Sequence, residues 1–297
     1  MMEGMASPPA SPSSASPQPE PVRRTVTPAR ARVWRDGKVI ERPERLATEE
    51  PMEIRAGGPG QEPTSVAVTM RTPGHDFDLA VGFMVGEGLI HGRDEVASVR
   101  YCDLPPEEPQ LYNVVSVFLT RPFDPGGAER RFYTTSSCGI CGKASLDQVE
   151  VHCAAIPPGE PLPASVVVSL PDALRKAQRI FEQTGGLHAA GLFDRTGKVL
   201  AVREDVGRHN AVDKLVGRSL LAGELPLSDR VLMVSGRVSF ELVQKAAVAG
   251  APVICAVSAP SSLAVEAADR LGLAVVGFVR GRGFNVYCHP ERLDLNA

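Results

Sequence analysis

The second half of the chain alternates apolar strands with amphipathic helices, and this pattern restricts the possible folds more than any other feature of the sequence. It predicts strands at 189–193, 199–202, 231–235, 252–257 and 274–279, with helices at 210–221, 240–249 and 263–271 between the later strands. Strands separated by helices of this length form a largely parallel sheet with helices on both faces. Ligands bind such sheets outside the carboxyl ends of the strands, so a site at one sheet edge is expected.

The sequence before this domain divides into three parts. Residues 1–30 are rich in Ala, Ser and Pro and are expected to form a disordered tail, because they cannot bury enough apolar surface to offset the entropy of ordering. Residues 31–133 are predicted to form a β-rich region with one helix, at 76–89. Residues 134–147 are predicted to form a cysteine-containing loop. The α/β domain then spans 148–297, and its first helix is predicted to run from Ser169 to Thr184.

The cysteine loop offers two close thiols, Cys138 and Cys141, within the sequence TTSSCGICGKAS at 134–145. The C-x-x-C spacing serves redox thiols, half of a zinc site, or a thiolate that carries sulfur. Glycines and serines surround the pair, and Lys143 supplies a positive charge that favours thiolate over thiol. These neighbours indicate a reactive loop and not a packed core.

Composition and charge exclude several classes of protein for this chain. The chain has 297 residues and a formal net charge of −3, which argues against bulk nucleic-acid binding. Six cysteines at irregular spacings, with no apolar signal segment before them, do not indicate a secreted disulfide framework. No apolar run approaches the roughly 20 residues that a membrane-spanning helix needs. We therefore expect a cytoplasmic protein with reduced thiols and no membrane association.

Polar residues follow several of the predicted strands. The stretch at 204–210 contains more polar and glycine positions than one helix cap requires, and its His209 is compatible with a ligand contact, a proton carrier or a structural hydrogen bond. The stretch at 235–237 also ends a strand, whereas the serines at 258–262 are explained by helix capping. The pair Cys288 and His289 has poor spacing for metal ligands.

The turn at 277–284 alternates glycine with arginine. Guanidinium groups form paired hydrogen bonds to phosphate or to a guanine edge, and glycine permits close approach of a ligand. Glycine is also ordinary in a hairpin turn. By itself this turn fits a ligand site and a solvated turn equally well.

Six segments in order resemble the FdhD/NarQ family, the sulfurtransferases that support formate dehydrogenase maturation. These segments are RTPGHDFDLAVGF, SSCGICG, GGLHAAGLF, EDVGRHNAVDKLVG, SGRVSFELVQKA and GFVRGRGFNVY, and they span nearly the whole folded part. The resemblance implies a cytidine-deaminase-like α/β fold with a mixed, largely parallel sheet and an added β-rich N-terminal region. Deaminase chemistry is not expected, because His188 is followed by Ala189 and Ala190, and Ser137 precedes Cys138 where the deaminase motifs have Glu and Pro.

The resemblance also implies a reaction and its partners. A cysteine desulfurase would donate sulfur to Cys138 as a persulfide, with Cys141 as a relaying, resolving or assisting thiol. The acceptor would be the molybdenum bis(molybdopterin guanine dinucleotide) cofactor, before its insertion into formate dehydrogenase, and a homodimer is expected. The family's cofactor-binding segment matches Phe278, Val279, Arg280, Gly281, Arg282 and Gly283.

Two other functions remain open at the level of sequence. In the first, the protein is a non-catalytic cofactor chaperone whose C-x-x-C loop is structural or binds zinc, although a closed zinc site needs about four ligands and no second close cysteine pair is present. In the second, it is a thiol-disulfide oxidoreductase. That function requires a C-x-x-C pair at the start of a helix, whereas Gly142 and the strand predicted after it place this pair in a loop.

Overall fold

A mixed six-stranded sheet with helices on both faces is joined to a smaller four-stranded sheet. The computed structural model describes residues 20–21, 23–102, 107, 109–124 and 153–297. The predicted cysteine loop at 134–147, and most of the strand predicted at 148–154, lie outside these residues.

The large sheet has the strand order β13-β12-β11-β10-β8-β9. Its strands are β8 (His188–Phe193), β9 (Val199–Asp205), β10 (Val231–Val234), β11 (Val253–Ala256), β12 (Ala274–Arg280) and β13 (Gly283–Cys288). Strands β10, β11 and β12 are parallel to one another, whereas β8, β9 and β13 pair antiparallel with their neighbours. The sheet is mixed, as expected, but less parallel than predicted, because tight turns join β8 to β9 and β12 to β13.

Alternate residues of this sheet face two separate apolar clusters. Ala190 and Leu192 of β8 pack with the cluster on one face, while Ala189 and Phe193 pack with the cluster on the other. The helices of the domain are α2 (Ala164–Ala177), α3 (Arg179–Thr184), α4 (Arg208–Leu221), α5 (Phe240–Val248) and α6 (Ser262–Leu271). Burial on both faces explains why β10 and β11 are apolar at every position.

The helix predicted from Ser169 starts in the wrong place. Helix α2 begins at Ala164, contains Pro171 in its interior, and is followed by the separate helix α3. Proline removes one backbone hydrogen bond from a helix interior, which normally disfavours this arrangement. Here Val167, Leu170 and Leu174 share one face and are buried against the sheet, so tertiary packing outweighs the local preference.

The N-terminal region contributes a four-stranded sheet of order β4-β3-β6-β5 and the helix α1 (Asp76–Gly86). Its strands are β3 (Glu50–Gly57), β4 (Thr64–Arg71), β5 (Val96–Tyr101) and β6 (Val114–Leu119). The apolar core of this region is continuous with one face of the large sheet, mainly where α1 packs against α4. Short strands β7 (Leu162–Pro163) and β14 (Leu293–Asp294) pair near the C-terminal end.

A long hairpin precedes the four-stranded sheet. Strands β1 (Val26–Arg35) and β2 (Lys38–Ala47) pair over their whole length, and we call residues Val26–Ala47 the arm. Ordered structure thus begins before residue 31, where the tail was predicted to end, because cross-strand pairing with β2 stabilises residues that have no amphipathic pattern of their own. None of the helices in the described ranges is long and apolar enough to cross a membrane.

Candidate functional site: the carboxyl edge of the large sheet

Five chain segments meet at one edge of the large sheet. The parallel strands β10, β11 and β12 end there, β8 begins there at His188, and β9 ends there at Asp205. This is the edge at which α/β sheets bind ligands, as the sequence predicted. Four of the six sequence segments that carry the family resemblance contribute to this edge.

A buried carboxylate fixes the position of the β9–α4 turn. Asp205 is fully buried and accepts hydrogen bonds from the backbone N–H of Thr72 at 3.1 Å and of Gly207 at 2.8 Å. The Nζ of Lys214 lies 2.7 Å from the same carboxylate and also donates to the Thr72 carbonyl at 2.8 Å. The side-chain amide of Asn210 donates to the Met70 carbonyl at 2.8 Å and to Asp205 at 3.0 Å, so Asp205 and Asn210 lock the N-terminal region onto α4. Glu204 is structural in another way, since it accepts the backbone N–H groups of Ile180 and Phe181 at the start of α3.

Arg208 of that turn lies beside the end of β10, where its Cδ would be 3.9 Å from a Cβ on Gly236. The Nε atom of Arg208 is buried and has no hydrogen-bond acceptor among the residues that the structure describes. An unpaired buried guanidinium nitrogen is costly unless a ligand supplies an acceptor. Arg208 begins helix α4, whose first N–H groups add positive potential. This arrangement suits an anion.

Two histidines flank Arg208. The Nε2 of His209 lies 2.7 Å from a carboxylate oxygen of Glu241 and 3.1 Å from the Ser239 hydroxyl, and its hydrogen bond lowers the pKa of Glu241. Burial, followed by the nearby positive charges of Arg208 and His209, lowers the pKa of His188. The pairing of His209 with Glu241 could not be found from sequence, because the two residues lie on different helices.

The lowered pKa of His188 predicts a pH effect on stability. Its unfolded-state pKa is near the ordinary value of about 6.5, so the unfolded chain binds the proton more readily below that pH. Stability contributed by neutral His188 is therefore present above about pH 6.5 and is lost as pH falls. We expect the free energy of unfolding to drop less between pH 7 and pH 5 in His188→Gln than in the wild type, measured by urea denaturation. If the free energy of unfolding falls equally with pH in both proteins, folded His188 does not have the lowered pKa assigned to it.

The predicted cofactor-binding segment forms the turn between β12 and β13. Arg280, Gly281, Arg282 and Gly283 are all exposed there, and the Arg280 guanidinium lies 5.3 Å from the centre of the Phe278 ring. Val279 is fully buried and packs in the apolar cluster on one face of the sheet.

Phe278 marks an irregularity in this turn. Its φ of 52° is unusual for a bulky residue, and its N–H donates to the Ser258 carbonyl at 3.2 Å instead of to β13. The ladder between β12 and β13 shifts register at this point, which indicates a β-bulge. Strained backbone positions of this kind cluster at active sites and ligand sites.

Three of the described cysteines are poor nucleophiles. Burial raises the pKa of Cys255 and of Cys153, and burial raises the pKa of Cys288 to about 11. Cys255 is buried, whereas Cys102 and Cys153 are only half-buried. Cys288 donates to the Leu273 carbonyl, and no group of three or more metal-ligating side chains occurs among the described residues. Cys138 and Cys141 lie outside those residues, so their roles stay predictions.

Comparison with known proteins identifies relatives over most of the chain. The model of the FdhD/NarQ family matches residues 47–294. The chain is 52% identical over 273 residues to the sulfur carrier protein FdhD of Streptomyces avermitilis, covering 89% of this chain and 94% of that protein. It is 51% identical over 264 residues to the protein of the same name from Mycobacterium tuberculosis, covering 86% and 94% respectively.

A solved structure also matches. It is that of a protein from Desulfotalea psychrophila described as a formate dehydrogenase accessory protein, with a TM-score of 0.69 and 26% sequence identity, covering 91% of this chain and 100% of that one. The matched range of the family model contains every sequence segment that meets at the carboxyl edge, together with the cysteine loop. With half of its residues identical to those of two sulfur carrier proteins, the chain belongs to the FdhD/NarQ family.

Proposed function

We propose that this protein is a sulfur carrier that serves the maturation of formate dehydrogenase. The observation that carries the proposal is the identity of about half of all residues, over almost the full length, to proteins named sulfur carrier protein FdhD. The structural neighbour described as a formate dehydrogenase accessory protein supports formate dehydrogenase as the recipient. In this proposal the protein is a persulfide-carrying sulfurtransferase of the cytoplasm.

The first step is sulfur loading at Cys138. The Cys138 thiolate attacks the outer sulfur of a persulfide on a cysteine desulfurase, a new S–S bond forms, and the electron pair of the broken bond leaves on the donor's cysteine as thiolate. The raised pKa values of Cys153, Cys255 and Cys288 hold these side chains as thiols and disfavour them in this step. Lys143 adjoins the pair in sequence and would favour the thiolate.

The second step delivers the sulfur to the molybdenum bis(molybdopterin guanine dinucleotide) acceptor, which we treat as a substrate. The outer persulfide sulfur becomes a sulfido ligand when the metal centre supplies two electrons, and Cys138 leaves as thiolate. Alternatively, Cys141 attacks the inner sulfur, which expels hydrosulfide and leaves a Cys138–Cys141 disulfide for a reductant. Atoms and electrons are conserved in both routes. Cys141 forms no bond to sulfur in the first route, whereas it is the attacking nucleophile in the second.

The carboxyl edge fits the charge of this acceptor. Guanine dinucleotides carry diphosphates, and guanidinium groups bind phosphate oxygens through paired hydrogen bonds. Arg280 and Arg282 present exposed guanidinium groups on the turn between β12 and β13, and the buried Nε of Arg208 has no acceptor within the described ranges. These residues are suited to hold the phosphates, with Phe278 available to pack against a base.

Replacing the two arginines of the turn between β12 and β13 should weaken binding of the acceptor without changing sulfur loading. In Arg280→Gln with Arg282→Gln, we expect the dissociation constant for guanosine diphosphate, used as a probe of one acceptor half, to rise about tenfold or more, because charged hydrogen bonds contribute about 1.5–3 kcal/mol each. Isothermal titration calorimetry measures this change. Sulfur loading should stay unchanged. Arg230→Gln, at an arginine paired with Asp229, is the matched control, and equal affinities in all three proteins would exclude the turn from binding.

Activation of the recipient tests the proposed function itself. Purified protein is loaded with sulfur by a desulfurase, freed of the donor, and incubated with cofactor and with formate dehydrogenase made in cells lacking any sulfur carrier. We expect formate oxidation with loaded protein, and background activity with protein that was loaded and then reduced. Equal activation by both samples would support the alternative, a cofactor chaperone with a structural or zinc-binding C-x-x-C loop.

A further inference from the structure

Four arginines at the carboxyl edge of the large sheet have no acidic partner among the residues that the structure describes. These arginines are Arg208, Arg237, Arg280 and Arg282. Arginines in other parts of the described chain commonly pair with carboxylates, as Arg203 does with Asp78 at 2.8 Å. Like charges that collect at one edge repel one another unless an anion binds between them. The edge therefore suits a ligand that carries several negative charges.

These arginines form two pairs on different strands. Arg280 and Arg282, the turn pair, lie on the turn after β12. Arg237 follows the end of β10 and Arg208 begins α4 after β9, and we call these two residues the strand-end pair. In the strand order β12-β11-β10-β8-β9, strand β11 separates the two pairs. Neighbouring strands lie about 4.8 Å apart, so the pairs are roughly 10–15 Å apart along the edge, and one phosphate group cannot contact both.

The loop after β11, which lies between the two pairs, carries no charge. Its residues at 257–262 are Val, Ser, Ala, Pro, Ser and Ser. The Val238 N–H donates to the Ala259 carbonyl at 3.2 Å, and the Ser261 N–H donates to the Val238 carbonyl at 2.9 Å. These bonds join the loops after β10 and β11 and fix the backbone next to Arg237. The positive charge of the edge is thus divided between two separate positions on a firmly connected base.

The strand-end pair meets at Gly236. Arg208 lies against this glycine, which directly precedes Arg237 in the chain, and His188 lies on it as well, with its Nδ1 3.4 Å from the position of a Cβ. The carboxylate of Glu241 does not pair with Arg208, because it lies 2.7 Å from the Nε2 of His209. Two guanidinium groups and the small residue between them leave a charged position at which an anion can approach the backbone.

We infer that the strand-end pair, Arg208 and Arg237, forms a second phosphate subsite on the same chain as the turn pair. Its ligand class is a diphosphate, bound through paired hydrogen bonds from the two guanidinium groups. A bis(dinucleotide) cofactor carries two diphosphates, one on each side of its metal centre, so each half of one molecule has its own pair of arginines. The identity of this ligand rests on the proposed function, whereas binding of diphosphate to Arg208 and Arg237 does not.

The two subsites should differ in their preference for a base. The Phe278 ring lies beside Arg280 in the turn and offers a stacking surface to guanine. The residues that define the strand-end subsite, Arg208, Gly236 and Arg237, offer no aromatic ring. We therefore expect the turn pair to bind guanosine diphosphate more tightly than inorganic diphosphate, and the strand-end pair to bind both with similar affinity.

Calorimetric titration of the full chain with inorganic diphosphate tests the second subsite. In Arg280→Gln with Arg282→Gln, where the turn pair is removed, we expect one diphosphate to bind per chain. Adding Arg208→Gln and Arg237→Gln to that protein should raise the dissociation constant about tenfold or more. With the turn pair intact, Arg208→Gln and Arg237→Gln should leave the tight binding of guanosine diphosphate unchanged. Because Arg237 is exposed, Arg237→Gln alone weakens diphosphate binding without any effect on folding, and melting temperatures check every variant.

The matched control removes the same charge at the opposite edge of the sheet. Arg195 follows the end of β8 and Arg230 precedes β10, so Arg195→Gln with Arg230→Gln should bind diphosphate like the wild type. Diphosphate binding that is insensitive to Arg208→Gln with Arg237→Gln, or that falls equally in the control, would overturn the second subsite.

The acceptor itself tests whether one molecule occupies both subsites. Equilibrium dialysis against the molybdenum bis(molybdopterin guanine dinucleotide) cofactor, with the bound metal measured by mass spectrometry, gives its affinity. Linked groups that bind two subsites reinforce each other, so removal of either arginine pair should weaken cofactor binding about tenfold or more. Cofactor affinity that depends on the turn pair alone would overturn the assignment of the second half to Arg208 and Arg237. Sulfur loading of the wild type is measured separately, and its failure would count against the proposed function and not against the diphosphate subsite.

Discussion

Cys138→Ala is expected to abolish sulfur loading and to leave the folded structure intact. The described thiols at Cys153, Cys255 and Cys288 have raised pKa values, so none of them is suited to replace the lost nucleophile. Incubation with a cysteine desulfurase and ³⁵S-labelled cysteine, followed by non-reducing gel electrophoresis, measures protein-bound sulfur. Urea denaturation and circular dichroism establish that the variant folds.

Two further cysteine variants test which thiol carries the sulfur and how the sulfur is delivered. Cys153→Ala removes a half-buried thiol and should load like the wild type. Cys141→Ala distinguishes the two delivery routes: full loading with no activation of the recipient indicates attack by Cys141 on the persulfide, whereas full loading with normal activation indicates direct transfer. Retained loading in Cys138→Ala would remove the basis for the assignment of this residue.

Gly82→Ala and Gly217→Ala are each expected to destabilise the protein strongly. Helices α1 and α4 cross where these glycines meet: a Cβ on Gly82 would lie 1.8 Å from the Asp213 carbonyl oxygen, and a Cβ on Gly217 would lie 1.9 Å from that of Asp78. The opposing atoms are backbone, so relief requires the two helices to separate. We expect each substitution to lower the free energy of unfolding by about 3 kcal/mol or more.

Urea denaturation measures this effect. Gly159→Ala is the matched control, because a Cβ there meets no atom within 4 Å and the backbone is not left-handed, and its stability should equal that of the wild type or slightly exceed it. Wild-type stability in Gly82→Ala or Gly217→Ala would contradict the close approach of α1 and α4. The same crossing joins the N-terminal region to the α/β domain, so the loss should be cooperative across both.

The alternation of strands and helices predicted the architecture of the second half well. The strands at β8 to β12 and the helices α4, α5 and α6 were predicted within a few residues, because their apolar periodicity coincides with burial in the structure. The antiparallel pairings of β8 with β9 and of β12 with β13 were not predicted, because the local sequence of a strand does not specify which other strand it pairs with.

The site was only partly accessible from sequence. Strand ends located the carboxyl edge, and the resemblance pointed to the turn at 278–283. Within the 204–210 stretch, Asp205 is structural, whereas Arg208 lies at the sheet edge. This difference depends on contacts with Thr72, which is more than 130 positions away in the chain. Such contacts leave no periodic pattern in the chain. The likeness to cytidine deaminases and the roles of Cys138 and Cys141 stay predictions.

Intact-protein mass spectrometry with peptide mapping tests the central claim most directly. The wild-type protein is incubated with a cysteine desulfurase and free cysteine, and the mass is recorded before and after reduction. A persulfide carrier gains the mass of one sulfur atom on the peptide that contains Cys138, and reductant removes it. An unchanged mass in the presence of an active donor, with zinc bound in stoichiometric amount, would contradict sulfur transfer and favour the cofactor-chaperone function.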